Sequence, residues 1–291
     1  MEVTKRIQKL YSMVCTAPKG MSIHIYNMPE YFEHDEMDNT VPHVHTFYEI
    51  LWFREAGGTH TLDFHQYEVK KNTLLFISPG QVHFFDNPMG CKGVILRFCT
   101  DIISGGNRTE DMFIKYGMFN TYDGEPCFTV DEPTASILDS IVDKMRKEQE
   151  HPEAFGHTDM MLAYVKIFII HINRYGLQSV DHKLNEQKPS HRLFIMFRKM
   201  VEERHTTMHT VKDYADKLNV STKTLSNSVI ECTGKTPLTF INDRLILEAK
   251  RLLHYSNMSG KEVGYYLGFE DPSYFVKFFK RMTGQLPSEY Q

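Results

Sequence analysis

Imidazole and carboxylate side chains gathered on one face of a strand can hold a divalent cation, move protons or hydrogen-bond a polar ligand. The run Pro42-His43-Val44-His45-Thr46-Phe47-Tyr48-Glu49-Ile50-Leu51-Trp52-Phe53 offers such a set. Alternate residues of a strand share a face. His43, His45, Phe47, Glu49, Leu51 and Phe53 are therefore expected to point the same way. A further histidine, His83, follows the turn signal Ser78-Pro79-Gly80. Three chemistries are open to these groups: polar lining of a ligand pocket or of the core, ligation of a metal ion, and metal-dependent catalysis. We adopt the first for His43, His45, Glu49 and His83, with no catalytic residue, no metal and no cofactor. A metal-dependent enzyme is kept as the alternative. Phe47, Trp52, Phe64, Phe76, Phe84 and Phe85 could stack on a sugar or an aromatic ligand, although most are expected in the core.

A second set lies near the other end of the chain and belongs to an internal repeat. Ala215-Asp-Lys-Leu218-Asn-Val220 aligns with Gly264-Tyr-Tyr-Leu267-Gly-Phe269, and Thr233-Gly234-Lys-Thr-Pro237 aligns with Thr283-Gly284-Gln-Leu-Pro287. The offset grows by one residue at the second turn. Each copy reads as a helix with a small residue for close packing, a tight turn at Asn219 or Gly268, an apolar plug and a second helix. That second helix starts at Ser221 in one copy and at Asp271-Pro272 in the other, a cap followed by proline at the first helical position. Inner faces carry Leu225 and Val229, then Tyr274, Phe275, Phe278 and Phe279. The candidate contacts to phosphates and base edges are Ser221, Lys223, Thr224, Ser226 and Asn227, then Ser273, Tyr274, Lys277, Lys280 and Arg281; Tyr274 is counted on both faces. Between the copies, Ile241, Leu245, Ala249, Leu252 and Leu253 mark the buried stripe of one long helix. Such a connector could hold two recognition helices about 34 Å apart, in successive major grooves.

The remaining elements divide the chain in two. Ser22–Tyr26, Val44–Phe53, Thr73–Ile77 and Gly93–Phe98 read as strands between Gly, Pro, Asn and Asp punctuation. From about Pro133 the period becomes helical, with Ile137, Ile141, Val142 and Met145 in one helix. Met161, Tyr164, Val165, Phe168 and Ile172 mark the next, which Gly176 is expected to close. The expected organisation is α+β with two domains. Residues 1–176 form a β-barrel with trailing helices, 177–190 a polar linker and 191–291 an all-α domain.

At these residues the chain resembles a known family. Val211-Lys-Asp-Tyr-Ala-Asp-Lys-Leu-Asn-Val-Ser-Thr-Lys-Thr-Leu225 is similar to the first helix-turn-helix of the AraC/XylS transcription regulators, and Leu267–Pro287 to that family's signature second unit. Where the family often carries a basic residue in the first recognition helix, this chain has Asn227, which could read adenine instead. The order H-x-H-x-x-x-E and then P-G-x-x-H-x-x-x-N resembles the two cupin motifs over about residues 20–100. The second motif lacks its leading glycine near Lys71-Asn72 and is one residue short between proline and glycine. The resemblance implies a sequence-specific DNA-binding regulator. A cupin-like barrel would sense a small-molecule effector, with a sugar as one candidate class, and RNA polymerase and a second copy of the chain would be partners. The wide apolar stripe Met160, Met161, Tyr164, Val165, Phe168 and Ile172 is the expected site of homodimerisation.

Composition agrees. Residues 188–291 hold 16 Lys and Arg against 11 Asp and Glu, whereas 1–187 hold 17 against 26, so only the C-terminal part favours a polyanion despite a net charge of −4. Five cysteines without a C-x-x-C pair argue against a disulfide framework and a zinc knuckle. No stretch reaches the length of about 18 to 20 apolar residues that spans a membrane, and Met1–Arg6 lacks a signal-peptide core, so a cytoplasmic location is expected.

Overall fold

The computed structural model describes residues 10–11, 23–34, 39–86, 91–98, 126–178 and 189–290. They fall into two compact units, one within 9–182 and the other within 183–291. Most of the 177–190 stretch, and Asn87 of the second cupin-like motif, lie outside the described residues.

The first unit is sheet-rich. Its strands are β1 (Leu10–Tyr11), β2 (Ile23–Asn27), β3 (Val44–His45), β4 (Tyr48–Phe53), β5 (Thr59–Leu62), β6 (His65–Glu68), β7 (Thr73–Ile77), β8 (His83–Phe85), β9 (Gly93–Phe98) and β10 (Cys127–Thr129). Five make an antiparallel sheet in the order β10-β7-β4-β9-β2, three a second sheet in the order β6-β5-β8, and β1 pairs with β3 in parallel. Among the described residues the ladders do not close into the expected barrel. The two larger sheets instead share one core, to which Leu51, Phe53, Leu75, Ile77 and Ile95 come from the first and Leu62 and Phe85 from the second. A single bridge joins His43 to His83.

The opposite face of the five-stranded sheet is covered by helices. The short α1 (Met28–His34) after β2 instead gives Met28 and Tyr31 to the core between the sheets, and the cover is two long helices, α2 (Glu132–Gln149) and α3 (His157–Gln178), that follow β10. Ile50, Trp52, Leu74, Phe76 and Leu96 pack there against Leu138, Val142, Met145, Val165 and Phe168. A sheet covered on both faces needs continuous apolar strands, which is why all of Thr73–Ile77 is buried. Asp131 caps α2 by accepting from the Thr134 amide.

Three expectations need correction. Val44–Phe53 is two strands rather than one, because β3 pairs with β1 while β4 pairs with β7 and β9. Ile137 is 42% exposed and Leu138 takes the core position instead. Helix α3 runs through Gly176 to Gln178, since glycine permits a stop without imposing one.

The second unit is helical: α4 (Pro189–Arg204), α5 (Val211–Lys217), α6 (Thr222–Thr233), α7 (Pro237–Tyr255), α8 (Gly260–Tyr266), α9 (Pro272–Thr283) and a 3-10 turn at Pro287–Glu289. The repeat is reproduced down to its caps. Thr210 and Asp213 form a capping box at α5, and Ser259 and Glu262 form one at α8. Ser221 caps α6 and Asp271 caps α9, and left-handed Gly234 and Gly284 end these two helices. Thr233 donates to the Val229 carbonyl at 2.8 Å, as Thr283 does to Phe279. The extra residue of the second turn is Glu270.

The turns also obey the repeat. Asn219 and Gly268 both have positive φ, 54° and 82°. A Cβ at Gly268 would collide with the Thr206 carbonyl oxygen, and one at Gly264 would lie 3.1 Å from the Phe275 Cβ. Gly268→Ala is therefore expected to cost about 2 to 4 kcal/mol in denaturant unfolding, from left-handed strain and overpacking together. Asn219→Gly, at the equivalent position, should change stability by less than about 1 kcal/mol.

Candidate nucleic-acid interface and buried histidine cluster

The second helix of each repeat buries one stripe and leaves the other in solvent. Helix α6 buries Leu225, Ser228 and Val229, and α9 buries Phe275, Phe278 and Phe279. Ser221, Lys223, Thr224 and Asn227 are exposed on α6 and its cap, and Ser273, Lys277, Lys280 and Arg281 are exposed on α9. Two candidates differ from this pattern. Ser226 is half-buried, as is its counterpart Val276. Tyr274 is 59% exposed, so it belongs to the outer face and not to the core. Its ring lies 6.0 Å from Phe269, the plug of the second turn. The α6 cap is ordered by hydroxyls, with 2.8 Å between Ser221 Oγ and Thr224 Oγ1, and the α9 cap by the Asp271 carboxylate, which accepts from the Ser273 amide at 2.8 Å.

Helix α7 packs against α4, α6, α8 and α9. Its 19 residues span about 28 Å at the usual helical rise. Along its buried side, Arg244 donates to Glu248 at 2.7 Å and to Glu202 at 2.9 Å, and Arg251 reaches Glu248 at 3.5 Å. Burial alone would raise the Glu248 carboxyl, but Arg244 and Arg251 outweigh it and bring it down to about 2. Sequence reading placed only the apolar residues of this helix in the core.

In the first unit the structure brings His43, His45, Glu49 and His83 together and adds two groups that sequence reading missed, His60 and Arg97. All six are buried. The His83 ring is 4.2 Å from that of His43, 4.9 Å from His45 and 5.4 Å from His60. Arg97 faces Glu49 across the β4–β9 ladder and donates through Nε to Glu49 Oε1 at 2.6 Å, and through Nη2 to Tyr31 at 2.8 Å. Its guanidinium also lies over the rings of Tyr31, Phe47 and Tyr26. The other carboxylate oxygen, Glu49 Oε2, is 3.8 Å from His45 Nε2 and 3.9 Å from His83 Nε2. Phe47 stacks on His45, and Phe85 meets His60 edge-on. Trp52 and Phe76 face the helices instead.

Six imidazole nitrogens, both on each of His45, His60 and His83, have no hydrogen-bond partner within the protein. A buried polar atom left in that state costs about 1 to 3 kcal/mol, so the cluster is suited to accept a ligand atom, water or cation. One ligand atom each from His45, Glu49 and His83 lies within 4.8 Å of the others, a donor set suited to a first-row divalent ion. Burial pushes His60 down to about 3 and His83 well below the ordinary histidine range, the neighbouring imidazoles adding to the effect on both. His43 is lowered by the same desolvation. For Glu49, burial is outweighed by Arg97, and the carboxyl is held far below the usual range.

Two helix-turn-helix units with polar outer faces, joined by one long helix, define the class of a DNA-binding transcription regulator. A family model described as a helix-turn-helix domain matches residues 214–291, and one described as an AraC-like ligand binding domain matches 30–157. The transcriptional activator RhaS of Enterobacter sp. (strain 638) is 22% identical over 255 residues, which cover 85% of this chain and 86% of that protein. The crystal structure of ToxT from Vibrio cholerae aligns over 93% of this chain and 97% of that one at 15% identity, with a TM-score of 0.39. The DNA-binding domain of AdpA in complex with a target DNA covers 34% of this chain and 87% of its own at 28% identity and a TM-score of 0.31. The chain belongs to the AraC family of DNA-binding transcriptional regulators and carries that family's N-terminal ligand-binding domain. Among the described residues no helix is long and apolar enough to cross a membrane.

The lowered histidines have a consequence for acid stability. Between about 6.5 and about 3 the unfolded chain binds protons that folded His60 refuses, so stability is fully present above 6.5 and falls with pH through that window. The fluorescence of Trp52, the single tryptophan, reports on this unit. The expected outcome is a melting temperature that drops steadily below about pH 6.5 in the native chain and less steeply in His60→Gln. Arg97→Met should cost about 3 to 5 kcal/mol at pH 7 by stranding Glu49, and adding Glu49→Gln should recover part of that loss.

Proposed function

We propose that this protein is a sequence-specific transcription regulator acting in the cytoplasm, without enzymatic activity, whose hold on DNA is set by a small-molecule effector in the first unit. Residues 1–176 are read as the sensing and dimerisation domain and 191–291 as the DNA-binding domain, joined by a linker over 177–190. The observation that carries the reading is the duplicated helix-turn-helix, with capped recognition helices whose outer faces hold Lys223, Thr224 and Asn227 in one copy and Ser273, Lys277, Lys280 and Arg281 in the other.

The buried imidazoles of His43, His45, His60 and His83, together with Glu49, are the proposed effector contacts. Neutral imidazole offers one donor and one acceptor, which matches hydroxyl-bearing ligands, and a sugar is one such class. The strand that carries Glu49 packs its other face, through Ile50 and Trp52, on α2 and α3. A ligand at the cluster is thus one strand away from the helices. Coupling of this kind is typically worth about 1 to 3 kcal/mol in DNA affinity. Of the stripe expected to dimerise, Met161, Val165, Phe168 and Ile172 are buried against the chain's own sheet, so the homodimer is proposed instead through the outer side of α3, where Met160 and Ile167 remain 43% exposed. RNA polymerase is the proposed partner at promoters.

A second reading is favoured by one observation, the convergence of His45, His83 and Glu49 Oε2. In that case a divalent ion is the ligand, held by those three groups. Zinc titrated into the chelator-treated protein distinguishes the two. A raised melting temperature that His45→Ala and His83→Ala both abolish supports the ion. No shift leaves the cluster to organic effectors. For the DNA reading, Asn227→Ala should cost about 1 to 3 kcal/mol on the preferred duplex and almost nothing on mixed-sequence DNA, measured by fluorescence anisotropy. An unchanged preference would remove Asn227 from the base-reading set.

A further inference from the structure

The two recognition helices share one backbone frame, so their outer faces are comparable position by position. Helices α6 and α9 both have 12 residues, a capped start, a left-handed glycine after the last turn and the same threonine bond to the carbonyl four residues earlier. At the offset of 50 that this frame sets, Lys223 to Ile230 and Ser273 to Lys280 repeat one order of exposed, buried and half-buried positions without a break. Lys223, Asn227 and Ile230 stand at i, i+4 and i+7, which lines them up on one ridge opposite Leu225, Ser228 and Val229. Ser273, Lys277 and Lys280 form the matching ridge opposite Phe275, Phe278 and Phe279.

The ridges differ in chemistry. Asparagine is a weak helix former, and Ile230 leaves an aliphatic side chain 46% exposed, so the helix itself gains from neither. A phosphate offers nothing to isoleucine. The major groove offers it the thymine methyl, and offers asparagine the donor and acceptor of adenine. Both side chains of the α6 ridge therefore suit A·T pairs. Lysine has donors only, and guanine presents two acceptors, N7 and O6, on the same groove floor. Lys277 takes the place in its frame that Asn227 takes in the other.

We propose that the operator is composite: an A·T subsite read by Asn227 and Ile230 of α6, and a G·C subsite read by Lys277 of α9. The proposal rests on the DNA-binding reading above and adds which bases each copy selects. Each matched contact discriminates against the wrong base by about 5- to 150-fold. Because the frame is common, preference follows the side chain and not the helix. Exchanging Asn227 with Lys277 then exchanges the two base preferences and leaves the net charge as it was.

The test uses the full-length protein. The native chain, N227A, K277A and the exchange variant N227K/K277N each select duplexes from a random pool, and affinities are measured by fluorescence anisotropy over about 50 to 200 mM salt. These exposed positions should leave the melting temperature unchanged. N227A is expected to lose about 5- to 150-fold of discrimination at one A·T position, and K277A as much at one G·C position of the other subsite. The exchange variant should prefer, by a similar factor, a duplex in which those two pairs have changed places. Deoxyuridine in place of one thymine of the first subsite removes only the methyl, and should weaken the native protein but not I230A. N227A with every native preference intact overturns the A·T subsite. K277A that weakens all sequences alike, with a salt slope flatter by about 0.9, assigns Lys277 to a phosphate and overturns the G·C subsite. An exchange variant that keeps the native order, or selects no sequence, overturns the common frame of reading. A native protein that binds no duplex overturns the DNA-binding reading itself.

Discussion

A charge removed from water has to find its counter-charge inside the same core, and both units of this chain are organised around a carboxylate in that position. In the first it is Glu49, held by Arg97 across the β4–β9 ladder. In the second it is Glu248, held on α7 by Arg244 and Arg251. Buried pairs of this kind add little net stability over apolar packing, but losing one partner is severe. They therefore act as register marks. Glu49 meets Arg97 only when β4 and β9 are paired in one alignment. A slip by one residue would place Arg97 on the opposite face, among Ile50, Trp52 and the helices. The same alignment brings the free oxygen of Glu49 to His45 and His83, so the ion pair that fixes the sheet also fixes the histidine cluster.

That arrangement gives the central strand two distinct neighbourhoods. Glu49, Leu51 and Phe53 face the second sheet and the imidazoles, and Ile50 and Trp52 face α2 and α3. Arg54 extends the link, since it donates to Asp139 of α2 at 2.6 Å and its guanidinium lies 4.6 Å from the centre of the Trp52 ring. Any change in the spacing of the cluster is thus felt by side chains on both sides of one strand. Close-packed interiors transmit such displacements because they hold few voids to absorb them.

How much of this was legible in the sequence depended on whether the deciding contact was local. Thr73–Ile77 and Gly93–Phe98 are bounded by turn residues, and both strands lie where those signals put them. The break after His45 carries no such mark. It exists because the two halves of Val44–Phe53 pair with different strands, and pairing partners lie far away in sequence. Arg97 was missed for the same reason, its partner being 48 residues distant. A lone arginine within Val94-Ile95-Leu96-Arg97-Phe98 was nonetheless a readable sign of a buried ion pair. His60 had no comparable signal, since its alternation with Thr59 and Thr61 fits an ordinary half-exposed strand. The repeat was legible because its information is local and occurs twice. The capping boxes Thr210-x-x-Asp213 and Ser259-x-x-Glu262 could have been read from the same alignment.

Duplication also explains where the two helix-turn-helix units agree and where they part. Caps, left-handed glycines and the close approach of the paired helices are set by backbone sterics, and few residue types satisfy each of them. Positions under those constraints match between copies in type, with serine facing aspartate at one cap and asparagine facing glycine at one turn. Both members of each pair solve the same geometric problem. Outer-face positions carry no such demand. An exposed side chain on a capped helix changes stability by a few tenths of a kcal/mol, so it can follow the ligand rather than the fold. The contrast between exposed Asn227 and exposed Lys277, at equivalent positions of the two helices, lies within that set. Two copies of one scaffold can therefore present unlike surfaces to a single duplex without either copy losing its shape.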